Sequence, residues 1–374
     1  MSLYGIENLP YGVFSGADGR RRIGVRLGSD VVDLSPLGGL FAAETLNPLL
    51  AAGRPAWTRA RARVADHVAA DPRGRPLDEV RLHLPFEVAD YTDFYSSEQH
   101  ALNAGKILRP QSPGLPPSWR RLPIGYHGRS ATVVASGTPI ERPSGQLADG
   151  VFGPSRRLDI EAEVGFVVGV PGRRVRTTDF AEHVFGIVLL NDWSARDIQA
   201  FEYRPLGPFL GKSFATSISP WVVPLEALAP VSPVPQDPPP HDYLRPPGPG
   251  FDLRLTVDWN ETRVSSPPFA GMYWTAAQQL AHLTSNGASV RTGDLYASGT
   301  VSGPSRDQVG SFLERTWNGT EPIKLADGST RGFLLDGDRV TIGGTTIGAA
   351  GVEIGLGSVS GTVSVSGTVL PAAP

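Results

Sequence analysis

The chain has 374 residues and a formal net charge of -3, from 34 basic and 37 acidic side chains. This balance, with no basic stripe interleaved with stacking aromatics, excludes nucleic acid or a membrane surface as the main partner and favours small-molecule chemistry. The absence of cysteine excludes disulfides, zinc-thiolate sites and thiol catalysis, so any metal must be held by oxygen or nitrogen. The 44 glycines and 35 prolines predict short strands and many turns, and hence a mainly β (α+β) protein rather than a helical bundle.

The length and the hydropathy of the chain limit its possible domain organisation and cellular location. A chain of this length is expected to form two domains around separate cores. The first twelve residues lack both a basic start and an apolar core, and the aliphatic run from Val184 to Leu190 is too short to span a bilayer. We therefore expect a cytoplasmic protein with no membrane partner.

In chain order, residues 11–34 alternate polar and apolar positions around two turn sequences and predict a small antiparallel unit. Residues 40–70 have helical periodicity, interrupted at Gly53, with arginines that predict a solvated face. The chain becomes β-rich from about Val80, and we place a boundary near Phe86, giving domains 1–86 and 87–374.

Two later segments bear on the organisation of the chain. The proline-dense residues 229–250 resemble an interdomain linker, but the strand-like sequence on both sides favours a long surface excursion inside one domain. Near the end, VSGTV occurs at 359–363 and again at 365–369 within an alternating run that predicts a strand or hairpin.

The stretch DYTDFYSSEQHA, residues 90–101, offers a first set of reactive side chains. Asp93, Tyr95 and His100 are a candidate metal ligand, substrate contact and general base. Taken one at a time, an aspartate is usually a turn residue and a histidine usually a packed or solvated one. The functional interpretation depends on the further clusters that follow.

In RLDIEAEVGFVVG, Asp159, Glu161 and Glu163 alternate with apolar residues, so a strand would place the three carboxylates on one face. Such a face is either solvated or neutralised by a cation. Asp93 and Asp192 could complete an all-oxygen metal site.

The segment from Val184 to Phe214 predicts a buried strand that leads into a helix beginning near Trp193. Ser194 and Asp197 suit the first turn of that helix. Arg196, Gln199 and Tyr203 then share one helical face, which is usually solvated unless it lines a pocket.

Lys212 lies in a loop rich in glycine and phenylalanine and is one of only three lysines in the chain. This setting favours an oxyanion contact over a general contribution to solubility.

Motifs along nearly the whole chain resemble those of the fumarylacetoacetate hydrolase family. They are ENLPYGVFS at 7–15, DYTDFYSSEQHA at 90–101, LPIGYHGR at 122–129, VASGTPI at 134–140, LDIEAEVGF at 158–166, LNDWSARDIQ at 190–199, PLGPFLGKSF at 205–214, ASGTVSGP at 297–304 and FLLDGD at 333–338. The resemblance implies a small N-terminal SH3-like barrel, a larger β-roll or sandwich catalytic domain, and a homodimer.

The resemblance also assigns roles by position. It implies that Asp93, Glu161, Glu163 and Asp192 bind Ca²⁺ or Mg²⁺, with Lys212 and Thr216 beside the metal or the oxyanion. His100 matches the catalytic base and Glu314 the acid that orients it. Arg109, Gln199 and Lys212 match the groups that stabilise the oxyanion. The substrate contacts implied are Tyr95, Arg109, Tyr126, Gln199, Tyr203 and Thr300. Asp159 is not a usual ligand of the family, and Glu98 stands where a basic residue is common.

The activity implied is hydrolysis of the carbon-carbon bond of a dicarboxylate β-diketone, fumarylacetoacetate, to fumarate and acetoacetate. A related hydrolysis of an acylpyruvate, a decarboxylation or an isomerisation could use the same scaffold without needing His100 to activate water in every case. A cation-stabilised binding module without turnover is a more distant alternative.

Overall fold

The computed structural model describes residues 2–365 and has a sheet-dominated α+β fold. Of the second VSGTV sequence, residues 366–369 lie outside the described residues, whereas the first forms part of the last strand described. Within the described chain, no helix combines the length and the apolarity that a membrane crossing requires.

The strands are short except at the centre of each sheet. They are β1 Tyr11–Ser15, β2 Arg21–Leu27, β3 Asp30–Asp33, β4 Arg75–Pro76, β5 Arg81–Leu82, β6 Tyr91–Phe94, β7 Gly125–His127, β8 Val133–Ala135, β9 Ile140–Glu141, β10 Ser144–Ala148, β11 Val151–Pro154, β12 Leu158–Asp159, β13 Ala162–Val168, β14 Gly172–Arg173, β15 Val184–Asp192, β16 Ser194–Ala195, β17 Thr216–Ile218, β18 Trp221–Pro224, β19 Pro230–Val231, β20 Gly250–Phe251, β21 Leu253–Trp259, β22 Thr262–Ser265, β23 Ser289–Val290, β24 Leu295–Ala297, β25 Ile323–Lys324, β26 Thr330–Arg331, β27 Arg339–Ile347 and β28 Glu353–Ser364.

The helices are also short, apart from α2 with 17 residues. They are α1 Asn47–Ala51, α2 Arg54–Ala70, α3 Glu98–Leu108, α4 Phe180–His183, α5 Arg196–Glu202, α6 Leu210–Ser213, α7 Ala276–Ser285 and α8 Phe312–Arg315. The predicted interruption at Gly53 is confirmed, because this glycine separates α1 from α2 with a positive φ of 81°.

One large sheet contains strands from both sides of the predicted domain boundary near Phe86. Its strand order is β4-β3-β2-β1-β18-β15-β13-β24-β6-β7, with β5 paired to β1 and with β17 between β15 and β8. The antiparallel unit predicted over residues 11–34 is confirmed as β1 to β3. Because β1 also pairs with β18, the N-terminal strands continue the sheet that carries the central strands. Closure of those strands into an SH3-like barrel stays a prediction.

A second sheet has the order β22-β21-β27-β28-β9 and packs its apolar side into the larger core. Burial alternates along β21 and along the second half of β28, as expected for strands with one face covered, whereas residues 354–357 of β28 are all buried. At the end of β21, Trp259 stacks on Phe312 of α8, with 4.0 Å between ring centroids, and both rings are buried.

The proline-dense segment is closed at its base by the pairing of β19 with β20. Between them, Gln236 donates to the carbonyl of Tyr273 at 2.7 Å and Leu244 packs in a buried cluster with Trp119 and Trp274. The excursion is therefore held against the body of the protein by its own contacts.

One predicted boundary is wrong. The helix expected near Trp193 begins at Arg196, because β15 continues to Asp192 and the next residues form β16, which pairs with β12. Asp197 does lie in the first turn of α5, but Ser194 donates to the carbonyl of Asp192 instead.

We predict that Trp259→Ala lowers the free energy of unfolding by about 3–5 kcal/mol, because it removes a buried ring and leaves a cavity under α8. Urea unfolding followed by circular dichroism measures the change. Phe152→Ala, at a side chain that is 74% exposed, is the control and should have little effect. A loss for Trp259→Ala as small as that of the control would contradict the packing role.

Candidate active site

Four carboxylates meet at one edge of the large sheet. Asp93 lies in β6, Glu163 in β13, Asp192 at the end of β15, and Glu161 immediately before β13. One oxygen from each lies within 4.8 Å of the others, and all four side chains are buried. Neighbouring strands thus assemble the oxygen-rich group that the sequence predicted.

The charges of this cluster are not balanced by the described residues alone. Both oxygens of Glu163 and Oδ1 of Asp93 are buried and accept no hydrogen bond from the described part of the chain. Burial and the neighbouring carboxylates raise the pKa of Glu163 and of Asp93 well above their ordinary values. Converging, unpartnered carboxylate oxygens fit a hard divalent cation, so the residues present suit such an ion.

Three donors flank the cluster on its Asp192 side. Lys212 in α6 forms ion pairs with Glu161 and, at 2.6 Å, with Asp192. The Tyr126 hydroxyl donates to Asp192 at 2.8 Å and the Thr216 hydroxyl at 3.4 Å. Burial opposes the charge of Lys212, but the two carboxylates outweigh it and the pKa of Lys212 is raised. This lysine is therefore held as a cation.

Asp159 does not join the other carboxylates, so the expected three-carboxylate face holds two. Asp159 lies in β12, and its oxygens accept from the backbone N–H groups of Phe312 and Leu313 at 2.7 and 2.9 Å. Arg196 pairs with it at 2.8 Å. The regular strand is interrupted after Asp159, so the alternation that predicted one shared face does not persist.

His100 and Glu314 form a buried pair. His100 Nδ1 lies 2.7 Å from Glu314 Oε2, and His100 Nε2 lies 3.9 Å from Glu161 Oε1. Glu314 also accepts from Asn103, Ser302 and Ser311. Burial opposes ionisation of Glu314, yet His100 and these donors hold its pKa below the ordinary value. An ionised Glu314 fixes the proton on Nδ1 and leaves Nε2 directed toward the acidic cluster.

Each member of this pair lies three residues after a serine that caps a helix. The Ser97 hydroxyl accepts from the His100 N–H in α3, and the Ser311 hydroxyl accepts from the Glu314 N–H in α8. A β-bridge between Glu161 and Ser311 places α8 beside the carboxylates. Local capping and sheet pairing together bring His100 and Glu314 into contact.

A cavity of about 710 Å³ opens onto these groups. Its polar and aromatic lining includes Asp93, Tyr95, His100, Arg109, Tyr126, Glu161, Arg196, Gln199, Tyr203, Lys212 and Thr300. The expected substrate contacts therefore all face one space, and the face of α5 with Arg196 and Gln199 lines a pocket rather than solvent. Glu163, Asp192, Thr216 and Glu314 lie behind that surface.

The individual lining residues are held in different ways. The Tyr95 ring meets His100 edge to face at 5.3 Å, and Arg109 donates to the carbonyl of Gly114 at 3.2 Å. The Tyr203 hydroxyl accepts from Arg204. The Thr300 hydroxyl is buried and has no hydrogen-bond partner among residues 2–365, so it is free to donate into the cavity.

Glu98 has a structural role in the same helix as His100. It lies in the first turn of α3 and forms an ion pair with Arg120, whose guanidinium also donates to the carbonyl of Asp237 at 3.4 Å. Glu98 thus ties α3 to the chain before β7 and to the proline-dense excursion, away from the carboxylates.

Arg196 is a site residue that the sequence did not single out for a role. Its guanidinium pairs with Asp159 and Glu161, each at 2.8 Å, and donates to Gln199 at 3.1 Å. Asn103, Ser302 and Ser311 around Glu314 were also missed. The pattern Ser311-x-x-Glu314, a helix-capping signature, was the available signal for Ser311.

Two family models match the chain in succession. The N-terminal fumarylacetoacetase model covers residues 7–90, and the C-terminal fumarylacetoacetate hydrolase model covers residues 90–363. The two models span most of the chain, which is therefore a hydrolase of the fumarylacetoacetate hydrolase family.

Curated relatives match over almost the full length. The chain is 46% identical to the fumarylacetoacetase of Homo sapiens, covering 96% of this chain and 95% of that protein. It is 44% identical to that of Caenorhabditis elegans, covering 96% of each, and 42% identical to that of Arabidopsis thaliana, covering 97% and 96%.

Solved structures share the fold at lower identity. A fumarylacetoacetate hydrolase from Exiguobacterium antarcticum aligns with a TM-score of 0.60 and 20% identity, covering 96% of this chain and 99% of that one. A maleylpyruvate hydrolase from Sphingobium aligns with a TM-score of 0.59 and 16% identity, covering 96% and 100%.

We predict that Glu163→Gln weakens divalent cation binding by about tenfold or more, because it removes a carboxylate that no described residue neutralises. In EDTA the same variant should unfold at a higher temperature than the parent, because glutamine avoids the cost of burying a carboxylate, or of protonating it, beside three others. Calorimetric titration with Ca²⁺ and Mg²⁺ and thermal unfolding in EDTA measure the two effects.

Asp159→Asn is the matched control for that prediction. It should keep cation affinity, because no oxygen of the cluster is removed, but lose about 3–5 kcal/mol of stability, because the buried Arg196 keeps only Glu161 as an ion-pair partner. Unchanged cation affinity in Glu163→Gln, or an equal loss in both variants, would contradict this division of roles.

Proposed function

We propose that this protein hydrolyses the carbon-carbon bond of fumarylacetoacetate to give fumarate and acetoacetate. The observation that carries the proposal is the His100-Glu314 pair facing a buried carboxylate cluster across one cavity. Full-length similarity to proteins named fumarylacetoacetase supports the same activity.

His100 is proposed as the base that activates water. Glu314 occupies its Nδ1, so Nε2 remains as the nitrogen that accepts a proton. The water oxygen adds to the carbonyl carbon, and cleavage of the adjacent carbon-carbon bond leaves the electron pair on acetoacetate as an enolate. The proton taken by His100 can then be returned to that carbon, so the base is regenerated.

The cluster of Asp93, Glu161, Glu163 and Asp192 is proposed to hold Ca²⁺ or Mg²⁺, since the ligands are all oxygen. When bound, such a cation supplies Lewis-acid polarisation of substrate oxygens. Tyr126 and Thr216 hold Asp192 in place by hydrogen bonds.

Three cavity groups are proposed to stabilise the oxyanion and the charge of a dicarboxylate substrate: Arg109, Gln199 and Lys212. Lys212 is held as a cation against Glu161 and Asp192, and Gln199 is oriented by Arg196. Such preorganised donors act strongly where charge develops. Tyr95, Tyr126, Tyr203 and Thr300 are proposed as the remaining substrate contacts, because they line the same cavity.

A homodimer in the cytoplasm is part of the proposal. Large apolar side chains are exposed near α5 and α6, including Leu206 at 97% and Phe209 at 61%, and this supports burial against a second copy. The cytoplasmic location and the boundary near Phe86 stay predictions from the sequence.

We predict that His100→Ala lowers turnover by about 10²–10⁴-fold and leaves cation affinity close to that of the parent protein, because the base is lost but the carboxylates remain. Loss of the ultraviolet absorbance of fumarylacetoacetate with added Ca²⁺ or Mg²⁺ measures turnover. His241→Ala, at an exposed histidine, is the control. Full activity in His100→Ala would refute the assignment, and absence of turnover in the parent protein would favour a binding module or a different keto acid substrate.

We predict that Lys212→Met lowers turnover by about 10²-fold or more, because a donor to the oxyanion is removed. Lys106→Met, at an exposed lysine, is the control. Circular dichroism confirms that the variant is folded before rates are compared. Near-parental turnover in folded Lys212→Met would leave this lysine as a structural counterion for Glu161 and Asp192.

A further inference from the structure

A second cleft, of about 270 Å³, lies between α2 and the outer side of β15 and β18, away from the carboxylate cluster. Its floor is aromatic and aliphatic, with Trp57, Phe180, Phe185 and Phe251 among its lining. The Trp57 indole donates to the carbonyls of Leu49 and Leu50, so its ring is fixed in place. The apolar part of this cleft is therefore preformed.

The polar residues that line the cleft are Tyr11, Arg54, Arg61 and Glu226. Tyr11 is 1% exposed and lines the cleft, where the charges of Arg61 and Glu226 act on its hydroxyl. Burial raises the pKa of Tyr11, so the phenol keeps its proton and can donate to a ligand.

Arg61 and Glu226 are two opposite charges that do not neutralise each other directly. Among the described residues Arg61 has no ion-pair partner, and its guanidinium donates only to the backbone carbonyls of Glu7 and Asn8. Glu226 accepts from the Thr58 hydroxyl through one oxygen. The other charged lining residue, Arg54, is already paired with Glu182 at 2.7 Å.

The size and the charges of the cleft restrict its ligand. A cavity of about 150 Å³ accommodates benzene, so this cleft has room for a six-membered ring and a short polar head. A simple carboxylate would be attracted by Arg61 but repelled by Glu226. A simple amine would be attracted by Glu226 but repelled by Arg61. A head group that carries an ammonium and a carboxylate on the same carbon satisfies both residues.

We propose that this cleft binds a free α-amino acid with an aromatic or large aliphatic side chain. Its carboxylate pairs with Arg61 and accepts from Tyr11, its ammonium pairs with Glu226, and its side chain lies among the aromatic rings. The site is separate from the proposed hydrolytic centre and contacts both the N-terminal strand β1 and the central strands.

The test uses ¹⁹F NMR titration of the full chain with 4-fluoro-L-phenylalanine. Saturable binding is expected, and 4-fluorophenethylamine and 3-(4-fluorophenyl)propanoate, each lacking one charge, should bind about tenfold or more weakly. Equal affinity for the three probes, or no saturable binding, would overturn the proposal.

Variants locate the site. Arg61→Met and Glu226→Gln should each weaken binding of the amino acid by about tenfold or more, whereas Arg59→Met, at an exposed arginine of the same helix, should not. Because Arg61 also holds backbone carbonyls, Glu226→Gln decides the question if Arg61→Met does not fold. Glu226→Gln should keep the parental rate of fumarylacetoacetate hydrolysis, which separates this site from the hydrolytic one. Parental affinity for the amino acid in Glu226→Gln would contradict the proposal.

Discussion

Burial of negative charge at one edge of the large sheet is the constraint on which the site depends. Four carboxylates converge with their oxygens within 4.8 Å, and ionised groups this close are tolerated in a dry interior only when positive charge opposes them. Lys212 and Arg196 supply part of that positive charge: Lys212 forms ion pairs with Glu161 and Asp192, and Arg196 forms one with Glu161. Lys212 acts on Glu163 and Asp93 only at longer range, and neither carboxylate forms an ion pair among residues 2–365. This remaining imbalance is what makes the cluster suited to a divalent cation.

The same residues that position the site also stabilise the fold around it. Asp159 fixes the start of α8 and holds Arg196, which in turn orients Glu161 and Gln199. Trp259 supports α8 from the second sheet through Phe312. Glu314 lies in that helix, so the geometry of the His100 pair depends on packing as well as on its own hydrogen bonds.

The N-terminal strands are more closely integrated than a separate domain suggests. Through β1 and β18 they extend the sheet that carries Glu163 and Asp192, and a buried cluster joins Tyr11 and Trp57 to residues of β15. The second cleft lies along this junction. A ligand there would contact the two parts of the chain at once and would stabilise their association by its binding energy.

The sequence by itself determined the kinds of groups available and their local settings. Hydrophobic periodicity predicted the early antiparallel unit and the helices around Gly53, and motif resemblance identified the carboxylates, His100 and Glu314. These signals are local, because strand alternation, capping residues and turn glycines act over a few neighbouring residues. Local patterns failed at Asp159. Alternation alone predicted three carboxylates on one face, but the strand is interrupted after that residue.

Only the tertiary structure decided which of these groups meet. His100 and Glu314 are 214 residues apart in the chain and come into contact because a bridge between Glu161 and Ser311 carries α8 to the carboxylates. The role of Arg196, the ion pair of Glu98 with Arg120, and the second cleft likewise arise from contacts between distant segments. Local patterns cannot specify such contacts, because they depend on the pairing of strands and the packing of side chains across the whole sheet.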